Sequence, residues 1–307
     1  MKHAYLYALL LLLVLGSCRS AYRIVIPPGE LPLFFDYSRE VLPLVSAHRG
    51  GRFRDGYPEN SLATFKDVLQ HNPALIECDV NISRDSVLLL LHDNTLERTT
   101  TGRGAVNARD WKSLKKLRLL DDRRAETRHR IPKLKKVLKW ARKRTILTVD
   151  VKDRVPLEKV VALIERTKAE EYAVLIVHAL EEALLVHRLN PRLMISAGIT
   201  SQEDLNAYLQ AGIPAQNLLA FTGTRRIKPR LYQRLRELGI PVLFGTFDTA
   251  DTVRKEAARD QLYRTYLEQG IHILATDRPL DAGELLLPRQ REVEAKRKYL
   301  RWPGRSD

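Results

Sequence analysis

The sequence predicts an α/β fold, a TIM-like (β/α)8 barrel, and three observations predict it. Short apolar runs recur along the chain, amphipathic stretches of helical period lie between several of them, and polar residues gather where the first runs end. Apolar strands alternating with helices build a parallel sheet covered on both faces. About eight repeats in one chain favour a closed barrel over an open sheet. A length of 307 residues, 44% of them hydrophobic, suits one large domain with a sizeable core.

In chain order the strand candidates are Leu44–Ala47, Leu75–Val80, Val87–Leu91, Thr145–Val151, Val174–Val177, Leu193–Ala197, Leu218–Phe221, Val242–Phe247 and Ile271–Ala275. These are nine candidates for eight places, so one is a hairpin or a strand outside the barrel. Helical patterns occupy Ser61–His71, Lys133–Lys143, Leu157–Lys168, Glu181–Arg188, Ser201–Gln210, Pro229–Leu238 and Asp251–Gln269. Asn60 or Ser61 can cap the first helix, and Pro132 suits a first helical turn. Residues 94–130 break the rhythm. They are polar, rich in Thr and Arg, and read as an insertion over the barrel mouth.

The chain ends stand apart. Lys2 and His3 precede an apolar run, Tyr5–Leu15, too short to span a bilayer. It closes on Leu15-Gly16-Ser17-Cys18, which resembles a bacterial lipobox. Residues 1–18 are therefore expected to be a lipoprotein signal peptide, with Cys18 the lipidated N-terminus of an envelope protein, on the outer membrane or the periplasmic face. Residues 19–40 read as a mobile tether, 41–285 as the barrel and 286–307 as a basic tail, suited to an anionic surface or a solvated terminal helix. Cys78 is then the one remaining cysteine, so no internal disulfide is possible. The 52 Lys+Arg against 37 Asp+Glu give a formal charge of +15. Basic residues cluster at Arg123–Arg144, Arg225–Arg230 and Arg289–Arg305. That balance favours phosphoesters or acidic headgroups as partners. No helix-turn-helix, zinc-finger or stacking signature points to nucleic acid.

Barrel active sites lie at the C-terminal ends of the strands. There the chain places His48-Arg49-Gly50, Glu77-Cys78-Asp79, His92-Asp93 and Asp150-Val151-Lys152. Strand side chains alternate, so Glu77 and Asp79 share one face, as do Asp150 and Lys152. If that face is the interior, three carboxylates converge while Cys78, Val149 and Val151 pack outward against helices. Converging carboxylates call for a cation, and hard oxygen donors select Mg²⁺ or Ca²⁺. His48 and His92 suit phosphodiester cleavage, one removing a proton from the nucleophile and the other protonating the leaving alkoxide. Arg49 and Lys152 can hold phosphoryl oxygens, and Asp93 can orient an imidazole.

The set His48-Arg49-Gly50, Pro58-Glu59-Asn60, Glu77-x-Asp79, His92-Asp93, Asp150-x-Lys152 and Thr276-Asp277-Arg278-Pro279 resembles the glycerophosphodiester phosphodiesterases over residues 44–282. The resemblance implies a barrel with a small insertion after the third strand and one divalent metal on Glu77, Asp79 and Asp150. It also implies acid–base roles for His48 and His92 and phosphate contacts from Arg49 and Lys152. Glu59 and Asn60 would organise the site, Glu59 through Arg49. The chain departs from the family pattern at several positions. Asp150 stands where the family usually has Glu, and Gly245-Thr246-Phe247-Asp248 where it has Trp-Thr-x-Asn. His272 replaces an Asp before the last strand, and His178 is an additional candidate at the mouth, with a substrate-side or structural role.

The expected activity is metal-dependent hydrolysis of a small or lipid-derived glycerophosphodiester to glycerol phosphate and an alcohol. Two alternatives differ in partner: a lysophospholipid or envelope polymer as substrate, or an inactive basic module that binds polyanions.

Overall fold

The computed structural model describes residues 21–38, 40–225 and 229–304; the expected signal segment and Cys18 lie outside them. Among the described residues, no helix is long and apolar enough to cross a membrane. Eight parallel strands close on themselves: β2 (Leu44–Ala47), β3 (Ala74–Ile82), β7 (Leu147–Val151), β8 (Ala173–Val177), β9 (Met194–Gly198), β10 (Leu218–Phe221), β11 (Val242–Gly245) and β12 (Ile273–Thr276). Each pairs with the next, and β12 returns to β2. Helices α2 (Leu62–His71), α4 (Leu134–Ala141), α5 (Leu157–Thr167), α6 (Leu180–Leu189), α7 (Gln202–Gln210), α8 (Pro229–Glu237), α9 (Glu256–Glu268) and α10 (Pro279–Glu292) fill the crossovers and the outer wall.

The surplus strand candidate is β4 (Leu88–Leu90). It runs antiparallel to the end of β3, pairing Val80 with Leu90, and so forms a hairpin outside the barrel cycle. The insertion follows it and carries a short helix, α3 (Trp111–Leu114), and a two-stranded ribbon, β5 (Arg118–Leu120) with β6 (Glu126–Arg130). In the barrel's own count the insertion therefore lies between the second and third strands. It has its own small core, which includes Leu89, Leu91, Leu96, Val106 and Ile131.

The alternation expected for β3 and β7 is observed. Cys78, Val149 and Val151 join the helix-facing core, and Leu75 and Ile146 join the inner floor cluster. The tether and the tail are corrected. Residues 22–38 pack against the barrel floor, with β1 (Arg23–Ile24) and α1 (Leu31–Phe34) contributing Ile24, Leu31, Phe34, Phe35 and Tyr37 to its core. Burying an aromatic of this size stabilises by roughly 1.5–3 kcal/mol, which is why the segment is not a free tether. The first part of the tail is the end of α10. The remainder pairs β13 (Leu300–Arg301) antiparallel with β1. Lys296, expected on a solvated surface, is buried and donates to the carbonyls of Leu33 at 2.6 Å and Asp36 at 3.1 Å.

Candidate active site

At the mouth, β2 runs into a tight turn, His48–Gly50, where Arg49 adopts a left-handed backbone (φ 54°). The turn aims the Arg49 amide at Glu77, whose Oε2 accepts it at 2.6 Å. Gly50 follows at φ +86°, and a Cβ there would lie 2.6 Å from the Phe65 ring, so the turn requires glycine.

Glu77 and Asp79 on β3 meet Asp150 on β7, with Asp79 and Asp150 in register. Each offers an oxygen within 4.8 Å of the others. That spacing is inside twice a Ca²⁺–oxygen distance, about 5 Å, and the donor set is all oxygen, so the cluster fits one hard divalent cation. Burial, then the charges of Asp79 and Asp150, push the Glu77 carboxyl well above its usual range. A cation between the three would reverse that. Asn60 holds Asp79 from two sides: its Nδ2 donates to Oδ2 at 2.6 Å, and its Oδ1 accepts the Asp79 amide at 2.9 Å. Lys152 Nζ bridges Asp79 Oδ1 and Asp150 Oδ2, 2.6 Å from each. Its ammonium thus pairs with both carboxylates. Burial opposes ionisation of Asp150, but the hydrogen bond from His178 (2.8 Å) and the Lys152 ammonium pull it well below the ordinary carboxylate range.

Each candidate histidine has its own carboxylate. His48 Nδ1 lies 2.8 Å from Asp277 Oδ1. Asp277 is itself fixed by its amide, which donates to Asp251 Oδ2 at 2.7 Å. Burial resists ionisation of Asp277, yet His48 and Arg52 hold its pKa below normal. His92 Nδ1 lies 2.7 Å from Asp93 Oδ1. Asp93 is lowered to about 2, chiefly by hydrogen bonds from Arg98. An ionised carboxylate only accepts, so in both pairs the proton is assigned to Nδ1, leaving Nε2 to face a substrate.

Arg49 is held loosely, 3.5 Å from Glu59 and 3.4 Å from Asp79, and its buried Nε has no hydrogen-bond partner. That leaves donor capacity for an anion. Glu59 works mainly through a residue that sequence reasoning missed. Arg98, in the insertion, binds Glu59 with both terminal nitrogens (2.7 and 2.9 Å) and also grips Asp93. It thereby ties the insertion and His92 to the barrel. No periodicity signals a lone Arg in a polar loop. Asp277 was visible only as part of a motif, although its place one residue after β12 is the signal that could have found it.

His48, Glu77, Asp150, His178 and Phe247 line one cavity of about 250 Å³, walled on its apolar side by Ile176 and Phe221. His92, Asp93, Arg49, Glu59, Asn60, Asp79 and Lys152 are not among its lining residues and connect to it only through the contacts described. The aromatic expected to be lost near Gly245 is present two residues on. The Phe247 ring packs 4.6 Å from the His48 ring, in the space a side chain at 245 would need: a Cβ there would be 2.6 Å from it. His272 is not at the mouth. It is buried in the floor, where its Nδ1 accepts the Val242 amide (3.0 Å) and its ring stacks on Tyr37 (4.7 Å).

Residues 48–281 match the profile of the glycerophosphoryl diester phosphodiesterase family. A crystal structure of a glycerophosphoryl diester phosphodiesterase from Parabacteroides distasonis superposes with a TM-score of 0.88 at 34% identity, covering 92% of this chain and 99% of that one. A glycerophosphodiester phosphodiesterase of Bacillus altitudinis is 29% identical over 183 residues, 56% of this chain and 73% of that protein. The fold is also that of an Oleispira antarctica phosphodiesterase solved with the product sn-glycerol-3-phosphate, with a TM-score of 0.60, 20% identity, and coverage of 80% of this chain and 97% of that one.

Proposed function

Since the chain belongs to the glycerophosphoryl diester phosphodiesterase family, and is thus a phosphoric diester hydrolase, we propose that it cleaves glycerophosphodiesters to glycerol phosphate and an alcohol with His48 and His92 as its proton-transfer groups. The observation that carries this reading is that His48, backed by Asp277, lines the same cavity as the carboxylates of Glu77 and Asp150. The glycerol phosphate product held by the Oleispira relative supports that product class here.

In this reading Arg49 takes the phosphate, its guanidinium, held only at 3.4–3.5 Å by Asp79 and Glu59, turning to the phosphoryl oxygens. Water adds to phosphorus and the phosphorus–oxygen bond to the alcohol breaks. One imidazole receives a proton at Nε2, and the other supplies one to the departing alkoxide. Asp277 and Asp93 keep the two rings in the correct tautomer and stabilise their protonated forms. Glu77, Asp79 and Asp150 would hold one Mg²⁺ or Ca²⁺, which when bound supplies positive charge opposite the developing negative charge on phosphate. Arg98 and Asn60 are positioning residues, acting through Glu59, Asp93 and Asp79.

The test is hydrolysis of glycerophosphocholine by the chain in EDTA and after adding back Mg²⁺ or Ca²⁺, beside His48→Ala and His92→Ala. The expected result is metal-restored release of glycerol phosphate, reduced by about 10²–10⁴ in each variant. In parallel, cation at 100 times its Kd should stabilise the wild-type fold by about 2.7 kcal/mol, and Glu77→Gln should abolish that stabilisation. Near-normal turnover in both histidine variants would reject their assignment, and an unchanged metal shift in Glu77→Gln would reject the ligand set.

The same proposal places the protein in a bacterial envelope, anchored through lipidated Cys18, with a small or lipid-derived diester as partner. The apolar run before Leu15-Gly16-Ser17-Cys18 supports it. Cys18→Ala should move the protein from the membrane fraction to the soluble one; persistence in the membrane would refute the anchor.

A further inference from the structure

One strongly charged feature is not used by this chemistry. Beside the mouth, a crevice of about 710 Å³ opens between the first turns of α2 and α4 under the insertion. Lys133, Lys135, Lys136 and Lys139 line it from the α4 side, Arg128 and Arg130 from β6, and Lys115 from the loop after α3; no Asp or Glu lines it. None of these seven cations forms a salt bridge among the described residues. Lys133 lies over the Trp111 ring (4.9 Å) and feels Asp85 through space. Arg130 is fixed by donating to the carbonyls of Lys115 and Lys116. Seven like charges facing one concavity repel each other, and an anionic occupant relieves that repulsion.

Two residues of its wall adjoin groups of the catalytic rim through the backbone. Ser61, on its wall, follows Asn60, which holds Asp79. Pro132, also on its wall, accepts the amide of Leu90, two residues before His92. Its concave shape suits a chain rather than a flat bilayer. Its one large aromatic, Trp111, packs on the insertion's core, and the exposed apolar side chains, Leu33, Phe53 and Leu189, are not among its lining residues.

We propose that this crevice is a subsite for a linear phosphodiester polymer, holding neighbouring phosphates while one diester is cleaved at the mouth. The inference rests on the hydrolytic reading above. The bond broken is the same phosphorus–oxygen ester, with water supplying oxygen to phosphorus and a proton to the alcohol. The Lys and Arg side chains add affinity by counterion release and take no part in bond breaking.

The test uses the full-length chain and a variant with Lys115, Lys135, Lys136 and Lys139 all changed to Gln, each exposed and outside the catalytic groups. End-labelled poly(glycerol phosphate) binding is followed by anisotropy against salt on a His48→Ala background, so that the polymer survives. At about 0.7 per lost phosphate contact, the slope of log K against log salt should fall by about 3 in the variant, with binding weakened at least about ten-fold. With His48 intact, polymer cleavage should fall by a similar factor in kcat/KM while glycerophosphocholine turnover stays unchanged. Equal binding and equal slopes overturn the proposal, as does an equal fall on both substrates. Lysine-dependent binding of phosphatidylglycerol vesicles without polymer binding overturns it in favour of a bilayer. A wild-type chain that binds polymer through these lysines but cleaves neither substrate overturns the hydrolytic reading, and with it the polymer's role as substrate.

Discussion

His272 carries a stability prediction whose size follows from its surroundings. The ring is buried in the barrel floor against Tyr37, its Nδ1 accepts the Val242 amide, and its pKa is lowered from 6.5 to about 4, by burial first and then by the charge of Arg236. A histidine depressed on folding binds its proton more readily in the unfolded chain. Stability is therefore complete above about pH 6.5 and is lost as pH falls toward 4. At about 1.36 kcal/mol per unit, the penalty is on the order of 2 kcal/mol at pH 5 and 3 kcal/mol near pH 4. In a domain of this size that corresponds to roughly 4–8 °C in Tm at pH 5. His272→Asn offers an oxygen near the Nδ1 position and removes the titration. The variant is less stable at pH 7.5, because it leaves a cavity where the ring packed. Its further loss between pH 7.5 and 5 should be smaller than the wild type's by about 2 kcal/mol. Urea unfolding of both chains at the two pH values measures this difference, in which other titrating groups cancel. Parallel pH profiles would refute the argument.

Two further expectations concern the mouth. Asp277→Asn keeps the shape but can offer N–H to His48 Nδ1 and so favour the wrong tautomer; kcat on glycerophosphocholine should fall by about 10²–10⁴ with the circular dichroism unchanged, and a loss below about three-fold would mean that Asp277 does not orient His48. Gly245→Ala would put a Cβ 2.6 Å from the Phe247 ring and displace it from His48. KM for glycerophosphocholine should rise several-fold, and unaltered kinetics would show that the ring does not shape the substrate site.

The barrel was legible because its strands are buried on both faces, so each reads as a short apolar run bounded by polar residues. The period-two pattern of Glu77-Cys78-Asp79 and Asp150-Val151-Lys152 also sufficed to set the inward face. What the pattern could not give was direction. Leu88–Leu90 is as apolar as a barrel strand, and its reversal is decided by the Ser83–Val87 turn, where Ser86 is left-handed (φ 62°) and the Ser83 amide donates to the Val87 carbonyl at 3.1 Å. Helix α10 was missed because Pro288 and Gly283 interrupt its period. The floor was missed because the terminal segments that close it are distant in sequence. Phe34, Phe35 and Tyr37 were the available sign that residues 19–40 could not be a free tether. Arg98 was illegible for a related reason, since its meaning comes from Glu59, 39 residues away.

The positions where this chain departs from its family's pattern are each met by a second residue of its own. Gly245 lacks an aromatic side chain, and Phe247 folds its ring into the space that glycine leaves, against His48. Asp150 is one methylene short of the usual Glu, and both its oxygens are fixed, one by His178 and one by Lys152. His272 replaces an acid, and Tyr37, from the segment that caps the floor, covers its ring. Such pairs mean that restoring a single family residue does not restore the family geometry. A Trp at 245 would collide with Phe247, and a Glu at 150 would push its carboxylate past the nitrogens that now hold it. Two of these pairs, Gly245 with Phe247 and Asp150 with His178 and Lys152, stand at the mouth, so the effect of a change there on substrate preference has to be read from the pair rather than from one residue.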